Sequence, residues 1–134
     1  MFKFTFDEKE YDLSQDKLLY FFNEDVEGFD MDKLYEILNN SDKVQFGKAY
    51  YDGPCEECKF ELGEKKKSFP FLEFNMFIYT KKGEFVISNI EKEYEGLTYN
   101  KLLKAKKVDK SYLVNINVCK NCGNFGVEVE EFDI

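Results

Sequence analysis

The residues with the most chemistry to offer are four cysteines, and all of them fall in two Cys-x-x-Cys pairs, Cys55/Cys58 and Cys119/Cys122. A Cys-x-x-Cys turn between two strands aims both sulfurs to one side, so each turn supplies half of a tetrahedral S₄ site. The expected occupant is a structural Zn²⁺ held by Cys55, Cys58, Cys119 and Cys122. Four thiolates around one Zn²⁺ carry a net charge of about −2, which backbone N–H···S bonds and nearby cations must offset. Lys59 and Lys120 stand beside the ligands for that task. The second pair is followed by Gly123, where a tight turn needs positive φ. The first pair follows Gly53-Pro54 and has Lys59 in place of that glycine.

The same thiols admit two other uses. An iron S₄ electron carrier has the same ligands but needs an apolar shell, and Glu56 and Glu57 sit inside the first pair. A redox-active dithiol needs a lowered thiol pKa, usually from a helix N-terminus. The residues after both pairs read instead as strand.

What the chain lacks narrows its chemistry further. It has no His and no Trp, and all 19 basic residues are lysine. Ser-His-Asp triads, Cys-His dyads and His-bearing metal sites are excluded. No arginine fork is available to clamp phosphate or read guanine. Neither a Gly-rich phosphate loop nor a Gly-x-Ser-x-Gly elbow occurs, and no Asp-x-Asp-x-Asp-Gly calcium loop is present. The expectation is a protein that is not an enzyme.

Charge is unevenly spread. The net charge is −8, made of −9 over residues 1–58, +5 over 59–122 and −4 over 123–134. Lys65, Lys66 and Lys67, with Lys101, Lys104, Lys106, Lys107 and Lys110, could form a basic face for nucleic acid. The acidic clusters Asp25/Glu27/Asp30/Asp32 and Glu128/Glu130/Glu131/Asp133 suit a protein-binding surface or simple solvation. The N-terminus alternates like a strand, with acids following at once. No apolar run has signal-peptide or membrane-span length, so the expected compartment is the cytoplasm, without membrane association. Reduced thiols there favour metal over disulfides.

The elements that must position the cysteines follow from periodicity. Phe2, Phe4 and Phe6 share one face of a strand, and Lys9–Leu13 reads as a second. Ser14 is expected to cap a helix through Leu18, Leu19, Phe21 and Phe22, and Asp30 a second helix with Met31, Leu34, Tyr35 and Leu38 on one side. Strands are expected over 44–52, 60–62, 71–80, 84–90, 112–118 and 125–132. Lys81-Lys82-Gly83 makes a hairpin, and Thr98 caps a lysine-rich helix over 99–107.

These elements predict a single α+β domain over 1–134. An α-rich part, 1–43, is expected to pack on an antiparallel sheet. A β-rich part, 44–134, would carry the Cys₄ site and a hairpin-plus-helix insertion over 63–111. Sixty residues separate the two pairs, against roughly 15–20 in a compact two-pair zinc site. The insertion accounts for that gap.

The turns Gly53-Pro-Cys-Glu-Glu-Cys58 and Cys119-Lys-Asn-Cys-Gly123 resemble the knuckles of zinc ribbons. The wide spacing and the lysine-rich, arginine-free composition also resemble a small family of low-GC Gram-positive bacterial proteins with two such pairs. That resemblance implies no activity. The functional expectation is a cytoplasmic, non-enzymatic binding or adaptor module with another protein as partner. A redox or electron-transfer protein, and nucleic-acid binding through the lysine-rich insertion, are the alternatives.

Overall fold

The computed structural model describes residues 1–23, 26–51 and 69–133. It is mostly β: 50% of it is strand and 19% helix, with one helix of more than six residues. The strands are β1 (Phe2–Phe6), β2 (Lys9–Leu13), β3 (Leu18–Asn23), β4 (Gly47–Tyr51), β5 (Phe69–Lys81), β6 (Glu84–Ser88), β7 (Lys110–Cys119) and β8 (Phe125–Glu131). The helices are α1 (Met31–Asn40) and α2 (Tyr99–Lys104).

Strands β1 and β2 form a separate antiparallel hairpin. Its two-residue turn, Asp7-Glu8, has both residues at positive φ, which matches the twist of the flanking strands. The other six strands make one sheet in the order β3-β8-β7-β5-β4, with β6 paired to β5.

Alternation decides the two faces. Leu72, Phe74, Met76 and Ile78 of β5, Val114, Ile116 and Val118 of β7, and Phe125, Val127 and Val129 of β8 all point inward. They pack against Leu34, Tyr35, Ile37 and Leu38 of α1 and Tyr11 and Leu13 of β2. The core therefore lies between one face of the sheet and a cover made of α1 and the hairpin. Phe4 and Phe46 stack within it at 4.0 Å. On the outer face, α2 covers one end, where Leu102 packs with Tyr79 and Val108.

Several local expectations hold. The Asp30 side chain caps α1 by accepting from the Lys33 N–H at 2.9 Å, and Thr98 caps α2 through Lys101 N–H at 3.1 Å. Lys82 and Gly83 form the β5–β6 turn, both at positive φ.

The α+β architecture with N-terminal helices on an antiparallel sheet is not what forms. The stretch expected as a helix capped by Ser14 is strand β3, preceded by a short 3₁₀ turn at Gln15–Lys17. A short apolar run such as Leu-Leu-Tyr-Phe-Phe carries no decisive period. Tertiary pairing decides it, because β3 docks parallel on β8, which also makes the sheet mixed. Residues 1–43 thus hold three strands and one α-helix. Nor is the 69–88 hairpin an appendage. Its first arm, β5, is an interior strand hydrogen-bonded to β7 and β4. Helix α2 ends at Lys104, with Lys106 at positive φ beyond it. The expected strand at 60–62, the loop with Lys65, Lys66 and Lys67, and Cys55 and Cys58 lie outside the described residues. Among the described residues, no helix is long and apolar enough to cross a membrane.

Candidate metal centre

Strand β7 ends at Cys119, which is 3% exposed, and the chain turns back into β8 within six residues. The Cys119 N–H donates to the Asn124 carbonyl at 2.8 Å, and the Gly123 N–H donates to the Cys119 carbonyl at 2.9 Å. Gly123 has φ +81°, the left-handed conformation expected of it. These bonds close the turn into a knuckle, with Cys119 buried and Cys122 half-buried.

The β1–β2 hairpin holds the knuckle from the side. The Lys9 ammonium donates to the carbonyls of Lys120 at 3.2 Å and Asn121 at 2.7 Å. The Tyr11 hydroxyl donates to the Lys120 carbonyl at 2.7 Å. Burial first, and then the Cys119 and Asp7 charges, push the Tyr11 phenol up, so it remains a donor. The Lys120 ammonium lies 3.5 Å from the Asp7 carboxylate and 5.9 Å above the Phe6 ring. The Lys17 ammonium stands 3.9 Å from where a Cβ on Gly123 would lie.

This arrangement has an electrostatic consequence. A cation bound to a peptide carbonyl polarises the whole peptide unit and strengthens the N–H at its other end as a donor. Lys9 does so to two of the three peptide units inside the knuckle, Lys120–Asn121 and Asn121–Cys122. Lys9, Lys17 and Lys120 together bring three ammonium groups to this turn, with the Asp7 carboxylate beside Lys120. Of these, only Lys120 was legible beforehand. Lys9 reaches its partner across 112 residues, a distance over which sequence spacing carries no signal. Lys59 lies outside the described residues.

The register relates the first pair to this place. Cys119 of β7 is opposite Phe71 of β5, and Phe71 is opposite Ala49 of β4. Two residues further out, Tyr51 pairs with Phe69, and these are the strand ends that residues 52–68 join. Tyr51 packs on Phe71 with ring centroids 4.6 Å apart, and both cluster with Cys119 and Cys122. Neighbouring strands lie about 4.8 Å apart. Cys55 is four residues beyond Tyr51, a chain reach of up to about 14 Å. Both strand ends flanking the first pair therefore open beside the second pair. Of the sixty intervening residues, the described ones, 69–118, hold β5, β6, α2 and nearly all of β7, which lead away from this end of the sheet and back to it.

Among the described residues no group of three or more His, Cys, Asp and Glu side chains is close enough to hold a metal. The described half of the expected ligand set is Cys119 and Cys122; Cys55 and Cys58 belong to the other half. Cys119 ends a strand rather than beginning a helix.

No curated protein and no solved structure matches the chain. A family model described as "Protein of unknown function (DUF3785)" matches residues 2–134. With its β7–β8 knuckle clamped by an N-terminal hairpin, this chain belongs to the DUF3785 family.

Proposed function

We propose that the chain is a non-enzymatic binding or adaptor module whose sheet end is closed by a structural Zn²⁺ on Cys55, Cys58, Cys119 and Cys122. The observation that carries this reading is the register Ala49–Phe71–Cys119, which brings the β4–β5 ends beside the β7–β8 knuckle. Two adjacent strand connections, each with a Cys-x-x-Cys pair, are what a shared S₄ site requires. The lysines around the second knuckle support it, since a Zn(Cys)₄ centre is anionic and Lys9, Lys17 and Lys120 offset that charge. Four protein thiolates leave no open position for an activated water, so the metal's role is to hold the fold. The partner on this reading is another protein, met in the cytoplasm.

Elemental analysis of the purified protein, with thiol titration before and after chelation, tests it. About one zinc per chain is expected, with four thiols appearing only after chelation. Cys119→Ser should release the metal and lower the melting temperature. A metal-free, fully stable protein with four titratable thiols would sink the zinc site. A coloured protein containing iron would favour the electron-transfer reading instead.

A further inference from the structure

The outer face of the sheet carries a second constellation. Pairing aligns Tyr20, Gly126, Asn117, Glu73 and Gly47 in one row across β3, β8, β7, β5 and β4. The adjacent row on the same face is Phe22, Glu128, Asn115 and Asn75. Hydrogen bonds join these side chains from one edge strand to the other. Tyr51 donates to Glu73 at 2.6 Å, Asn75 to Glu73 at 3.0 Å, Asn115 to Asn75 at 2.8 Å, and Asn117 to both Asn115 at 3.3 Å and Tyr20 at 2.9 Å.

These residue types are costly where they stand. Asn and Gly are disfavoured in strands, yet Asn75, Asn115 and Asn117 stand inside β5 and β7, and Gly126 is the second residue of β8. A face that is merely solvated gains more from Thr or from paired opposite charges. Gly126 is there because the Tyr20 ring lies across it, leaving no room for a Cβ. Local rules broken together on one surface mark function.

We propose that this face binds a neutral saccharide. Sugar hydroxyls donate and accept at once, and side-chain amides do the same. The array is already held in place by its own hydrogen bonds, so little side-chain entropy is lost on binding. Phe22, 60% exposed and stacked on Tyr20 at 4.7 Å, offers an aromatic face to the C–H side of a pyranose ring. Charge selects among ligands. The two rows hold Glu73 and Glu128 and no lysine, which disfavours phosphate polymers. Glu73 already accepts from Tyr51 and Asn75, so it organises the amides rather than awaiting a basic peptide. This site borders the proposed zinc centre, since Tyr51 donates to Glu73 and also packs with Cys119 and Cys122.

Affinity electrophoresis of the full chain through gels containing soluble neutral glucan, mannan, galactan or chitin oligomers tests the proposal, with polyphosphate and polylysine gels as the other arms. At least one neutral saccharide is expected to retard the protein. Phe22→Ala and Asn75→Ala, both at exposed positions, should each weaken that retardation by about tenfold with an unchanged circular dichroism spectrum. Absence of retardation by every neutral saccharide would overturn the site. So would retardation equal in both variants, or retardation by polyphosphate or polylysine alone.

Discussion

The Lys9 ammonium donates to the Asn121 carbonyl at 2.7 Å, tying the N-terminal hairpin to the turn that carries Cys119 and Cys122. A group that orients a ligand-bearing turn is expected to tune the metal as well as the fold. Lys9→Met should lower zinc affinity by about 10- to 100-fold in a chelator competition, while Lys9→Arg, which keeps the charge and the donors, should stay close to the parent. Equal affinities in all three proteins would show that the clamp does not reach the metal.

Tyr11 makes the companion contact from a buried position. Tyr11→Phe keeps the ring in the core and removes only the bond to the Lys120 carbonyl. The expected loss is about 1 kcal/mol by urea unfolding. A loss near zero would mean that water replaces the hydroxyl.

Gly123 and Gly126 are needed for different reasons, and alanine separates them. At Gly123 a Cβ meets only ordinary contacts, 3.9 Å away, but φ is +81°. Gly123→Ala should cost about 1–2 kcal/mol through backbone strain, and Gly123→Asn less, since Asn tolerates that conformation better. At Gly126 the backbone is extended strand, and the Cβ would collide with the Tyr20 ring. Gly126→Ala should cost about 1–3 kcal/mol, and Tyr20→Ala in the same chain should recover much of it. Additive losses in that double-mutant cycle would show that the two residues do not meet.

Glu73 supplies a pH dependence. Burial opposes its ionisation, but hydrogen bonds from Tyr51, Asn75 and Asn115 outweigh burial and hold the carboxyl below its ordinary range. A depressed carboxyl pKa adds stability that is fully present above the unfolded-state pKa and is lost as pH falls through the folded value. Glu73→Gln should therefore be less stable than the parent at pH 7, and the gap should narrow only in acid, below the usual carboxylate range near pH 4. A gap independent of pH down to the acid transition would contradict this origin.

Tyr51 responds in the opposite sense. Burial, and then its bond to the Glu73 carboxylate, raise the phenol well above its ordinary value. It should remain a protonated donor throughout the neutral and mildly alkaline range, checked by the absence of its phenolate absorbance on alkaline titration.

Much of the architecture was legible before folding was considered. Strict alternation marked the inward faces of β5, β7 and β8, because a half-buried strand repeats every two residues. Asp30, Thr98, Lys82-Gly83 and Gly123 marked caps and turns, because each acts on backbone within a few residues of itself. The Cys-x-x-Cys pairs were equally local signals.

What sequence alone could not decide depends on partners far along the chain. Leu18–Asn23 has no informative period, and only docking on β8 makes it a strand and the sheet mixed. Between the cysteine pairs, residues 63–111 read as an insertion until β5 proved to be an interior strand of the sheet. Lys9 at the knuckle and Tyr20 over Gly126 follow from register and layer packing. Local patterns determine which elements form and which side of a strand is apolar, since those energies arise between near neighbours. Tertiary structure alone determines which strand lies beside which, since that choice is made by burial shared across the whole sheet.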